Sequence, residues 1–184
     1  MSQEILSSSL PIGLSSKLEA LTFTAVSLLS FVVPFSLGHP QWLVGTIVNA
    51  CLFLSAIFLP KKFLPPLIIL PSLGVLVRGL VFGPLTVFLI YFLPFIWLSN
   101  LVLILVFKRF YNLKYFPSVF FAATIKFLLL LTAANIYFGL HLVPKLFLQT
   151  MGIGQFLTAL AGGMVSWSLF KIYEQYNPRN TRTV

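Results

Sequence analysis

The sequence has almost no acidic residues and almost no cysteine. No aspartate occurs among its 184 residues, and its three acidic residues are Glu4, Glu19 and Glu174. The one cysteine, Cys51, has no partner within the chain, which excludes an intramolecular disulfide, a zinc ribbon or a cysteine-ligated iron cluster within one copy. Catalysis in membranes generally relies on a carboxylate, a metal cluster or an activated nucleophile. We therefore expect neither an enzyme nor a bound cofactor.

Charged residues of either sign are rare, and hydrophobic residues dominate. Charged residues make up 8% of the chain, hydrophobic residues 59%, and the mean hydropathy is +1.01. A soluble domain of this size could not enclose so much apolar surface in one core, so we predict a multi-pass protein of the inner (plasma) membrane. The net charge of +9 does not indicate nucleic acid binding, because the basic residues are scattered without a continuous basic face.

Six apolar segments approach or exceed the roughly 20 residues that a spanning helix needs. They cover residues 18–36, 42–59, 63–81, 84–107, 116–138 and 147–171, with Pro84 in the first turn of the fourth. The segments lack the period-two alternation of a membrane β-strand. We therefore predict an all-α membrane protein, a compact bundle of six transmembrane helices within residues 17–172. Residues 1–16 would be a cytoplasmic or interfacial segment, and residues 173–184 a cytoplasmic basic tail.

The distribution of basic residues predicts the orientation of the bundle. With the N-terminus inside, the cytoplasmic segments would carry Lys17, Lys61, Lys62, Lys108, Arg109, Lys114, Lys171, Arg179 and Arg182. The outer connections would carry only Lys145. Lysine and arginine concentrate on the cytoplasmic side of membrane proteins, so both termini are expected to be cytoplasmic.

Two cations, Arg78 and Lys126, lie inside the third and fifth apolar segments, and neither of these segments contains an acidic residue. A charge at the middle of a bilayer costs at least about 2.5 to 3.5 kcal/mol on insertion scales, so it usually faces a bundle interior and marks a ligand or ion path. Arg78 is expected in the outer third, where it either binds a solute or snorkels to the headgroups. Lys126, about 15 Å from the inner end of its helix, either contacts a solute or donates to backbone carbonyls or to Asn100.

The third segment is predicted to be the least regular of the set. Pro65, Pro66 and Pro71 precede Gly74, so backbone hydrogen bonds are lost and the helix is expected to start late or to kink. Irregular backbone at membrane depth is tolerated only where it faces protein or a wet cavity. Arg78 follows four residues after Gly74, on the same helix face.

Polar side chains on other helices recur at spacings that place them on single faces. These faces comprise Gln41, Gly45 and Asn49 in the second helix and Gln155, Thr158, Gly162 and Ser166 in the sixth, while Ala122, Lys126 and Ala133 form an inward face of the fifth. The candidate ligand-binding residues are Arg78, Asn49, Gln155, Thr158, Asn135, Lys126, Gln41 and His39. All of these but Lys126, which is predicted near the midplane, are predicted to fall in the outer half of the bilayer, so we predict a polar pocket that opens outward. Alternatively, the uncharged groups only form interhelical hydrogen bonds, and His39 is only solvated in its loop.

Three local features add to this pattern. They are the sequence HPQWLVGTIVNA over residues 39–50, Gly83-Pro84 at the entry to the fourth helix, and QFLTALAGG over residues 155–163. With six helices in a chain of this length, the pattern resembles the S components of energy-coupling factor transporters. The resemblance implies a vitamin or micronutrient binder that captures its solute in the outer half of the bilayer. The resemblance also implies that the protein topples within the membrane, driven by a T component and two cytoplasmic ATPases. This chain has no Walker-type glycine loop, so ATP hydrolysis would belong to those partners.

The first helix departs from that pattern. In many members, alanines four residues apart on this helix dock on the T component. Here the residue four positions after Ala20 is Thr24, and the residue four positions after Ala25 is Leu29. Ala159 and Gly163 offer another close-packing surface, which is either internal or available to a partner. The alternative function is therefore a non-catalytic membrane assembly subunit whose polar face docks a partner helix.

Overall fold

The computed structural model describes residues 14–37, 39–82, 88–112 and 114–177, and within them it is helical without β-strands. The helices are α1 (Ser16–Ser36), α2 (Gln41–Phe58), α3 (Leu64–Phe82), α4 (Leu89–Phe110), α5 (Tyr115–Gly139), α6 (Leu146–Met151) and α7 (Ile153–Tyr176), with a 3₁₀ turn at Lys61–Phe63. Taking α6 and α7 together, six segments of the described chain are long and apolar enough to cross a membrane. The predicted all-helical fold with six membrane-length segments is confirmed.

Two of the predicted segments differ from the observed helices. The fourth begins at Leu89 rather than at residue 84, and Pro84 lies in residues 83–87, outside the described part of the chain. The sixth is interrupted at Gly152, where a Cβ atom would collide with the carbonyl oxygen of Leu148. Glycine allows the close backbone approach that separates α6 from α7. Helix α7 then continues to Tyr176, past the predicted boundary at residue 172.

The prolines of α3 are accommodated in a continuous helix that begins one residue after the predicted start. Pro65 and Pro66 fall in the first turn, where backbone N–H groups have no intrahelical partner in any case. Pro71 lies inside the helix and removes one interior hydrogen bond. Close to this interruption, the side-chain amide of Asn100 donates to the carbonyl oxygen of Ile68 at 3.1 Å. A neighbouring helix thus satisfies polar backbone near the proline, as membrane interiors require.

The long helices form a ring with α2 drawn toward its centre. Around the ring they follow in the order α1, α3, α4, α5, α7, α2 and back to α1, and α2 also contacts α3 and α4. The short helix α6 packs against α5 and α7. The second half of α2, residues 49–58, is buried except at Leu54. Helix α2 is therefore the element around which the others pack.

Small residues bring α2 and α7 into close contact. A Cβ atom added to Gly162 would lie 2.7 Å from Cβ of Asn49, and one added to Gly45 would lie 3.0 Å from Cβ of Thr158. The polar faces predicted for these two helices therefore pack against each other. Gly163 contacts Val119 of α5 in the same way, which makes the predicted surface around it internal to the bundle.

The two ends of the bundle are packed differently. At the end that carries Lys61, Lys62, Arg109 and Lys114, here called the basic end, apolar side chains fill the space between the helices. The buried residues of that core include Leu52, Phe53, Ile57, Leu103, Phe107 and Val119. At the other end, here called the α6 end, the helices enclose a cavity beside a smaller apolar cluster that includes Phe92, Ala134 and Met151.

The contact between α2 and α7 leads to a stability prediction. Gly162→Ala is expected to lower the free energy of unfolding by about 1–3 kcal/mol, because its methyl group meets the backbone nitrogen of Ala50 at 2.8 Å as well as Asn49. The matched control is Gly139→Ala, whose methyl group meets nothing within 4 Å. Denaturant titration of both variants in detergent measures the difference, and equal stabilities would contradict the close packing described here.

Candidate functional site

A cavity of about 970 Å³ occupies the α6 end of the bundle. All seven α-helices of the described chain contribute to its wall. Of the eight candidate residues from the sequence, the seven that line it are His39, Gln41, Asn49, Arg78, Lys126, Gln155 and Thr158. The grouping of these side chains around one space, expected from their depth, is present in the structure.

Lys126 lies at the deep end of the cavity and is almost completely buried, with 3% of its surface exposed. Its Nζ donates to Oδ1 of Asn49 and to Oδ1 of Asn100, each at 2.8 Å. Because an ammonium group can only donate hydrogen bonds, both asparagines must turn their oxygen atoms toward it. The donation to Asn100 that the sequence allowed is present, and Asn49 provides a second acceptor.

The amide groups of these asparagines extend the network to two further helices. Nδ2 of Asn49 donates to the carbonyl oxygen of Gly45 at 2.9 Å and to Oγ1 of Thr158 at 3.3 Å. The Thr158 hydroxyl in turn donates to the carbonyl oxygen of Gln155 at 3.2 Å. With the bond from Asn100 to Ile68 on α3, five helices are connected through Lys126: α2, α3, α4, α5 and α7.

The partners of Lys126 are neutral. Within the described residues, one ion pair is formed, between Lys171 and Glu174 near the C-terminal end of α7. Nζ of Lys126 is therefore surrounded by amide dipoles and by the cavity, without a carboxylate from this part of the chain. Buried charges are usually paired, so this arrangement is unusual for a purely structural group.

Arg78 contacts the end of a neighbouring helix. Its Nη1 donates to the carbonyl oxygens of Phe35 at 3.1 Å and Ser36 at 2.9 Å, in the last turn of α1. The last carbonyls of a helix lack intrahelical partners and carry partial negative charge, which a guanidinium group balances. One turn earlier, a Cβ on Gly74 would lie 2.5 Å from the carbonyl oxygen of Phe31. Arg78 therefore lines the cavity and also joins α3 to α1.

The mouth and the depth of the cavity differ in exposure. His39, Gln41 and Gln149 are exposed, whereas Asn49 and Lys126 at the deep end are buried. Five further polar residues of the wall were not predicted from the sequence to bind a ligand: Ser72, Ser99, Asn100, Gln149 and Thr150. Ser99 and Asn100 could have been found from the sequence, because they lie three and four residues after Ile96 and so share one helix face within an apolar segment.

Asn135 does not join the other candidates. It is exposed, does not line the cavity, and donates to the carbonyl oxygen of Leu131 in its own helix at 2.8 Å. The reason is the direction in which Asn135 points around the axis of α5. Nine residues after Lys126, at about 100° per residue, Asn135 points to the opposite side of α5. Depth alone had placed it in the pocket, and the prediction that it lines the pocket is wrong.

Comparisons of this chain with protein-family models, curated proteins and solved structures found no match.

The network around Lys126 predicts which asparagine matters for stability. Asn100→Ala removes one acceptor of the buried ammonium and the donor to Ile68, so the free energy of unfolding is expected to fall by about 1–3 kcal/mol. Asn135→Ala is the matched control and is expected to change stability by less than about 0.5 kcal/mol. Denaturant unfolding in detergent compares them, and a loss at Asn135 as large as that at Asn100 would refute this assignment.

Proposed function

We propose that this protein is a membrane-embedded binding subunit that captures a small solute in the outer half of the bilayer. The observation that carries the proposal is the cavity of about 970 Å³, to which all the described α-helices contribute. Small-molecule sites typically enclose about 300–1,000 Å³ and combine apolar walls with a few convergent polar groups. The cavity lies at the upper end of that range and has that composition, so a vitamin-sized compound would fit.

The charge distribution supports an outward-facing opening. The basic end carries Lys61, Lys62, Arg109 and Lys114, whereas the connection after α5 at the α6 end carries Lys145. By the preference of basic residues for the cytoplasmic side, the basic end would face the cytoplasm. The mouth of the cavity, near His39 and Gln41, would then face the outside.

The wall of the cavity favours a solute with a polar part and an apolar part. Val44, Val75, Ile96 and Phe147 provide apolar surface from four different helices. The polar groups of the wall include Gln155, which is half-buried nearer the mouth. An amphipathic small molecule could satisfy both kinds of surface at once.

Transport rather than storage is favoured by the resemblance to S components of energy-coupling factor transporters. In such an importer the solute-loaded subunit topples in the membrane, and a T component with two cytoplasmic ATPases supplies the energy. The present sequence contains no Walker-type glycine loop, so ATP hydrolysis would belong to those partners. We propose the same division of roles for this protein in the plasma membrane.

The proposal is tested by extracting and identifying small molecules that copurify with the protein, then measuring the affinity of the identified compound. Val44→Trp should weaken binding at least about tenfold, because the larger side chain occupies the cavity and overpacking costs about 1–3 kcal/mol. Val165→Trp introduces the same change on the exposed face of α7 and is expected to bind like the wild type.

Two results would count against solute binding. Equal affinity of the Val44→Trp and Val165→Trp variants would place the compound outside the cavity. Purification without any bound small molecule, together with crosslinking of the α6 end to one stable partner protein, would instead favour the assembly subunit.

A further inference from the structure

The two cations that line the cavity have different surroundings. Arg78 donates to carbonyl oxygens at the C-terminal end of α1, where the helix dipole already supplies partial negative charge. Lys126 donates to two neutral amide oxygens and is buried at the deep end of the same space. The group with the greater need for an anion is therefore Lys126.

The geometry of Lys126 leaves room for one more acceptor. A protonated lysine has three N–H donors, and within the described residues two of them are used, by Asn49 and Asn100. Neither asparagine can supply a negative charge. Lys126 and both of its asparagine partners line the cavity, which places the Nζ group at the cavity wall. A third, negatively charged acceptor would complete the hydrogen bonds and balance the charge.

We propose that Lys126 is the anion-binding group of the cavity and that its ligand is a water-soluble monocarboxylate with an apolar body. This inference rests on the proposed solute-binding function and names the ligand class. The carboxylate would bind Nζ at the deep end, held in place by the asparagine pair, while the apolar body contacts residues such as Val48 and Leu130. One remaining N–H favours a single negative group over a phosphate, which presents more charge and more acceptors. Arg78 is a positioning residue that holds α1 against α3.

The test compares each carboxylate with its neutral amide. Benzoate and benzamide, and indole-3-acetate and indole-3-acetamide, are titrated into the purified protein at neutral pH. The wild type is expected to bind the carboxylates about ten- to a hundredfold more tightly, the range for a hydrogen bond to a charged group. Amides that bind as tightly as carboxylates would overturn the inference and leave solute binding intact. Binding of neither member would count against the proposed function itself.

A carboxylate supplied by the protein provides the sharper control. Leu130 lines the cavity four residues after Lys126, on the same face of α5. In Leu130→Glu the new side chain can take the third N–H, so the carboxylate preference is expected to fall to about onefold, a loss of at least about tenfold. Leu130→Gln, of similar size but neutral, is expected to keep the preference. A preference that persists in Leu130→Glu would refute the role of Lys126.

Arg78→Gln keeps the inference testable even where Leu130→Glu fails to fold. In Arg78→Gln the ratio of carboxylate affinity to amide affinity is expected to stay within about twofold of the wild-type ratio, even if both affinities change. A ratio near one would transfer the anion site to Arg78.

Decanoate and decanamide form a third pair, and a preference confined to that pair would assign the site to a membrane fatty acid instead of a soluble solute.

Discussion

The ammonium group of Lys126, held between the side-chain oxygens of Asn49 and Asn100, is the interaction on which the rest of this structure depends. A charge at membrane depth is costly unless polar groups surround it. Two amide oxygens at 2.8 Å supply that environment and fix the relative positions of α2, α4 and α5. The network also separates the apolar core of the basic end from the cavity of the α6 end. Lys126 therefore both connects the helices and lines the candidate binding site.

Contacts at Gly162, Gly74 and Arg78 hold the helices in position around the cavity. Gly162 lets α7 approach α2 closely enough for Thr158 to accept a hydrogen bond from Asn49. On the other side of the bundle, Gly74 and Arg78 hold α3 against the end of α1. Cavities in packed proteins tend to collapse or fill unless rigid neighbours hold them open. Here the close glycine contacts bring α7 against α2 and α3 against α1 on the two sides of the cavity.

Much of the fold could be predicted from the sequence, because the relevant signals are local. Long apolar runs predict the six membrane-length segments, which the structure has, and the helical rise predicts a position near the midplane for Lys126. Residues four apart gave the facing surfaces of α2 and α7. The break at Gly152 was missed because a glycine in an apolar run has the same composition whether the helix continues or stops. Asn135 was misplaced because depth was considered without the angle around the helix, and the pairing of Lys126 with Asn49 depends on tertiary packing.

We propose that Lys126, which neutral groups hold in place, faces a cavity that receives an anion. An experimental structure of the protein as purified, at a resolution that shows Nζ and any bound compound, tests it most directly. We expect Nζ within hydrogen-bond distance of both asparagine oxygens, close to 2.8 Å, with non-protein density on its cavity side. Lys126 turned to the lipid-facing surface, or a cavity filled by inward movement of the helices, would contradict it.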